Sequence, residues 1–165
     1  MSKLVDSLQK LLLPLANKIS NVKFLSALGA TFQILLPIIM IGSFSCLGAF
    51  LNIPAWQSFV TSTGLATVFM TLQSLTLSII TLYIAFVLPY QYASKIGGSP
   101  FSSAIMTFMS FLLVTPTELY TNIPQTWLGF PGLFTCMIIT VLVVRLNKLM
   151  TDKGWYIDKL LRKNT

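Results

Sequence analysis

The side chains best suited to acid–base or nucleophilic chemistry are few here. They are the carboxylates Asp6, Glu118, Asp152 and Asp158 and the thiols Cys46 and Cys136, with no histidine anywhere. Without histidine a Ser/His/Asp set cannot form, and the commonest metal ligand and neutral-pH proton carrier is missing. The three aspartates sit among lysines near the two ends, and Glu118 sits in a polar loop, so no paired-carboxylate site is in view. The cysteines stand ninety residues apart in apolar stretches, which suits small buried hydrophobes better than a disulfide or a metal site. There is no GxxxxGK phosphate loop, and Gly97-Gly98 reads as a turn. The sequence therefore offers no catalytic, cofactor-binding or metal-binding residue. Glu118, read as a possible ion or substrate contact, is better accounted for as a solvated loop acid.

What the chain has in place of chemistry is apolar length. Of 165 residues, 55% are hydrophobic and 9% charged, too few charges to dress a soluble surface. No charge occurs from Phe24 through Ser94, between Lys95 and Glu118, or between Glu118 and Arg145. A bilayer crossing needs about 20 such residues, and a charge at its centre costs roughly 2.5–3.5 kcal/mol on insertion scales. The fold class is thus all-α integral membrane, with about four transmembrane helices and amphipathic interfacial segments at both ends.

Residues 1–23 place Leu4, Leu8, Leu11, Leu12, Leu15 and Ile19 at helical spacing, with Lys3, Asp6 and Lys10 off that stripe, so a helix lying in the interface is expected, kinked at Pro14. Residues 24–144 form a four-span membrane domain. Span one runs from Phe24 to Leu51 with Pro37 near its middle, and span two from Leu65 to Tyr90, leaving at Pro89, Tyr90 and Tyr92. Span three runs from Phe101 to Val114 and is the shortest; span four runs from Gly129 to Val144. A short loop with Asn52, Pro54 and Trp56 follows span one, and a loop with Glu118, Tyr120, Asn122, Pro124 and Trp127 follows span three. Residues 145–165 make a basic tail. The small residues Gly42, Ser43, Cys46, Gly48 and Ala49 would let another helix approach closely.

Lysines and arginines number four before span one, then none, one, none, and six after span four. That alternation fits the positive-inside rule at every boundary when both termini are cytoplasmic. The net charge of +7 is explained by this orientation and not by nucleic acid, which is excluded as a partner. The spans hold no ionisable side chain, against what a proton-coupled carrier needs.

Several stretches carry a family resemblance. PLANKISNVKFLSA (Pro14 to Ala27), Leu36 to Ser43, Asn52-Ile53-Pro54, YQYASKIGGSPFSSAIMTFMSFLLVTP (Tyr90 to Pro116) and Gly132 through Trp155 resemble phosphotransferase-system sugar permeases, specifically the N-terminal portion of the lactose/cellobiose-type IIC component. The resemblance implies translocation of a β-linked disaccharide, phosphorylated at the inner face by cytoplasmic IIA and IIB partners. It also implies a homodimer in the lipid bilayer, with the N-terminal helices as scaffold. The family's sugar-contacting histidine and glutamate lie in its later half. They have no matching positions here, so substrate-binding residues are unknown and the chain is expected to be a truncated or split permease. Pro37, Gly42, Ser43 and Thr115-Pro116 match the family's scaffold positions.

Two other readings stand beside this one. The chain could be a stand-alone membrane scaffold or interaction protein, with Ser43 or Cys46 at its contact. A small pore-former would need a polar lumen face, which the spans do not mark.

Overall fold

The computed structural model describes residues 22–116 and 125–153. The interfacial segment expected before residue 22, Glu118, Tyr120, Asn122 and Pro124 of the third loop, and the tail beyond 153 lie outside the described residues. Seven helices are described: α1 (Lys23–Phe50), α2 (Pro54–Ser62), α3 (Leu65–Thr76), α4 (Ile80–Ile96), α5 (Pro100–Val114), α6 (Gln125–Leu128) and α7 (Phe130–Asp152). Among the described residues there is no strand, and the all-α membrane class expected from composition is what the chain adopts.

Three helical segments are long and apolar enough to cross a bilayer: α1, α3 with α4 taken together (Leu65–Ile96), and α7; α5, with 15 residues, is a shorter apolar helix. Their surfaces are inverted relative to a soluble bundle. Phe44, Leu47, Phe101, Leu113, Phe134, Ile138 and Leu142 are all exposed, as lipid-facing side chains must be. The interior is narrow and built from Ala27, Leu35, Ile84, Ala85, Leu88, Ala93, Phe111, Cys136 and Val144. Helix α4 is its centre, packing against α1, α5 and α7, while α3 packs along α1.

The helix boundaries depart from the sequence reading in four places. The loop after span one holds a two-turn helix, α2, started by Pro54 at its first turn, where a missing N–H costs nothing. Span two is interrupted at Leu77–Ile79, between α3 and α4. Its later half then passes straight through Pro89, which is buried within α4, and stops at Gly97. There Gly97 adopts φ +75° and the Gly98 N–H donates to the Ala93 carbonyl over 2.9 Å, a left-handed cap that glycine makes without steric cost. Helix α7 continues eight residues beyond Val144, to Asp152.

Candidate functional site

Polar groups inside an apolar bundle decide where helices can meet, because each must find a partner or remain unsatisfied at a cost. Most buried hydroxyls here turn back on their own helix. Thr31 donates to Ala27 O, Ser45 to Ile41 O, Thr76 to Leu72 O, Thr115 to Phe111 O and Thr140 to Cys136 O, over 2.6–2.9 Å. These bonds spend each hydroxyl's single donor on its own backbone, so that only acceptor lone pairs remain for a solute. The Thr107 hydroxyl is buried with no hydrogen-bond partner among the described residues.

Bonds between elements cluster in three places. The first is the end of α1. Trp56 Nε1 donates to Gly48 O over 2.9 Å, and Gln57 Nε2 donates to Ala49 O and Leu51 O over 3.2 and 2.9 Å. Helix α2 is thus a side-chain cap for carbonyls that α1 cannot pair by itself. Trp56, placed in the loop after span one by the sequence, is half-buried and spends its N–H here.

The second is the break between α3 and α4. Tyr83 Oη donates to Leu75 O over 2.8 Å, and the buried Thr81 Oγ1 donates to Gly129 O over 2.5 Å, tying the start of α4 to the start of α7. Backbone bonds Ser78 N to Gln73 O and Leu82 N to Ile79 O close most of the remainder. Beside the break, Gln73, Ser78, Gln125 and Thr126 line an open cleft of about 440 Å³.

The third is the end where α1 begins and α4 and α7 finish. Asn147, buried on α7, donates from Nδ2 to Ser103 Oγ of α5 over 2.7 Å. Arg145 Nε donates to Tyr92 Oη over 3.3 Å, and Lys148 Nζ donates to Ile96 O over 2.5 Å. Lysine at a C-terminal carbonyl also meets the negative end of the α4 dipole. All five cations among the described residues, Lys23, Lys95, Arg145, Lys148 and Lys153, sit at this basic end.

The small-residue stripe of α1 divides in two. Gly42, Ser45 and Ala49 are buried, whereas Ser43 is exposed and bonds its own Ile39 carbonyl over 2.8 Å; Cys46 is half-buried. A Cβ on Gly42 would lie 2.5 Å from Thr76 Oγ1 and 2.6 Å from Leu77 Cγ, and one on Gly48 would lie 2.9 Å from the Phe69 ring. Both glycines are therefore needed for the α1–α3 approach. Pro37 lies exposed within a continuous α1. Thr115 is buried and closes α5, with Pro116 exposed beyond it. Asn147 and Thr81, which join helices, were not singled out from the sequence; an amide or hydroxyl within an apolar run is the signal that marks them. Among the described residues, no group of three histidine, cysteine or acidic side chains could hold a metal.

No family model matches the chain, and no solved structure matches it. Curated relatives do. It is 27% identical over 170 residues to the lichenan permease IIC component of Bacillus subtilis, covering 93% of this chain and 38% of that protein. The cellobiose-specific phosphotransferase EIIC component of Geobacillus stearothermophilus is 25% identical over the same shares of each chain. The galactose-specific EIIC component of Lactococcus lactis is 29% identical over 117 residues, 70% of this chain and 26% of that protein. The chain thus spans less than two fifths of the length of the relatives it matches. The resemblance carried by Pro14–Ala27, Leu36–Ser43 and Tyr90–Pro116 agrees with this, and the chain is similar, along nearly all its length, to the IIC membrane components of phosphotransferase-system sugar permeases.

Proposed function

We propose that these helices are the N-terminal scaffold of a phosphotransferase-system IIC permease of the lactose/cellobiose type, which moves a β-linked disaccharide as IIA and IIB partners phosphorylate it. The observation that carries this reading is the similarity to lichenan and cellobiose IIC components over 93% of the chain. The architecture supports it: long apolar helices with lipid-facing surfaces, whose buried hydroxyls are mostly spent on their own backbones. A site that strips water from a sugar must offer replacement hydrogen bonds, so the sugar contacts are assigned to a partner segment rather than to this interior. Both termini lie in the cytoplasm of a bacterial cell. The collection of all five described cations at one end of the bundle supports that orientation. A second copy completes the scaffold as a homodimer.

The same spent hydroxyls favour a second reading, a membrane scaffold that transports nothing by itself. Labelled cellobiose or lactose uptake separates the two, in cells lacking their own permease and supplied with IIA and IIB. The chain alone, shown by blot to be in the membrane, is expected to accumulate no sugar phosphate. Accumulation on co-expression with the later half of a IIC permease would support the permease reading. Accumulation by the chain alone would overturn the assignment of the sugar contacts elsewhere. Failure in both arms leaves the scaffold reading.

A further inference from the structure

At the basic end a cleft of about 440 Å³ opens between the start of α1 and the ends of α4 and α7. Lys23, Arg145 and Lys148 line it, with Tyr92 and Phe24, and among the described residues no carboxylate does. Two of these cations are already anchored: Arg145 through Nε on Tyr92, and Lys148 on the Ile96 carbonyl. Those bonds fix the direction of each head group while leaving donors unspent, since a guanidinium carries five N–H groups and an ammonium three. Lys23 makes no bond among the described residues. Three cations around one opening, with no counter-charge among the described residues lining it, form a receptor for oxygens that carry negative charge.

The cleft does not stand alone. Phe24 also lines a second groove of about 400 Å³, whose other walls are Phe134, Met137, Ile138, Val141 and Leu142 of α7. Every one of those side chains is apolar. Phe24 is held between the two by an edge-on contact with Tyr92, ring centroids 5.4 Å apart. From Phe134 to Leu142 the groove follows α7 for about 12 Å along its axis. Arg145 and Lys148 follow directly on the same helix, so an apolar trough leads into a cationic cup.

We infer that the trough and the cup together hold one anionic phospholipid, its phosphate oxygens on Lys23, Arg145 and Lys148 and an acyl chain along α7 beside Phe24. A free phosphate would satisfy the cup and leave the trough unused, whereas a zwitterionic lipid would bring an ammonium toward three cations. Charge and shape together select a lipid with a net negative head group. Such lipids are enriched where juxtamembrane lysines and arginines face the cytoplasm. The inference needs membrane insertion but not sugar transport.

The test uses the full chain purified in neutral detergent and native mass spectrometry with added phosphatidylglycerol, phosphatidylcholine or inorganic phosphate. Phosphatidylglycerol is expected to be retained and phosphatidylcholine released. Lys23→Gln is expected to lower retention about fivefold, the effect of one basic residue at an anionic surface. Lys153→Gln removes the same charge outside the cup and is expected to change retention far less. Met137→Trp fills the trough and is expected to weaken the lipid without adding phosphate binding. Equal retention of both lipids, or equal loss from Lys23→Gln and Lys153→Gln, would overturn the site. Displacement of the lipid by millimolar phosphate would reassign it to the free anion. Because Lys23 makes no bond among the described residues, its variant tests the site even where Arg145→Gln fails to fold. A chain that leaves the membrane fraction without detergent would instead refute insertion itself.

Discussion

Asn147 of α7 and Ser103 of α5 share a 2.7 Å hydrogen bond in a place sealed from solvent, both side chains being about 1% exposed. An amide so placed has four hydrogen-bonding positions to satisfy, and in a bilayer there is no water to satisfy them. The pair therefore pins α5 to α7 beside the basic cleft, Asn147 lying between Arg145 and Lys148 in the chain.

Asn147→Ala and Ser103→Ala are each expected to destabilise the bundle by about 1 kcal/mol, with a coupling in the double mutant of roughly 0.6–1.7 kcal/mol. Reversible unfolding in mixed detergent micelles measures this. Additive losses would mean that the two side chains do not act as a pair.

The α1–α3 approach depends on two missing side chains. Gly42→Ala places a methyl against Thr76 and Leu77, and Gly48→Ala places one against Phe69, so each is expected to cost about 1–3 kcal/mol by overpacking. Gly29 on the same helix has open space around it, and Gly29→Ala is expected to leave stability undiminished. Equal effects at the three glycines, compared as midpoints of thermal unfolding, would contradict this packing.

At the end of α4 the chain turns on a left-handed residue. Gly97→Ala is expected to cost about 1–2 kcal/mol through its positive φ, and Gly97→Asn less, because asparagine tolerates that conformation. Lys148→Met removes the side chain that caps Ile96 and is expected to lower stability by a further ~1 kcal/mol. A Gly97→Ala protein as stable as the parent would show that the cap is not left-handed in the membrane.

Sidedness is tested with single cysteines in a Cys46→Ala, Cys136→Ala background. Ser62→Cys, exposed at the end of α2, is expected to react with a membrane-impermeant maleimide in intact cells. Thr151→Cys, exposed in the last turn of α7, is expected to react only after permeabilisation. The reverse pattern would place the basic end outside and invert the proposed topology.

Charge spacing and apolar length were enough, in the sequence alone, to establish a multi-span helical membrane protein, because the bilayer penalises every stray charge and every unpaired backbone group. They also marked Gly42 and Gly48 as places of close approach, since only a missing Cβ permits it. The break at Leu77–Ile79 was not legible. No proline or glycine marks it, and it exists because Tyr83 and nearby backbone groups satisfy carbonyls that a continuous helix would have paired itself, while Thr81 fixes the start of α4 to Gly129 at the start of α7. Pro89 misled for the opposite reason: it reads as an exit, yet α4 passes through it because packing on three sides holds the helix together. The basic cleft likewise joins residues from both ends of the described chain. Only the folding of α1 beside α4 and α7 brings Lys23 to within one opening of Arg145 and Lys148, so that charges read singly as orientation signals become a common site.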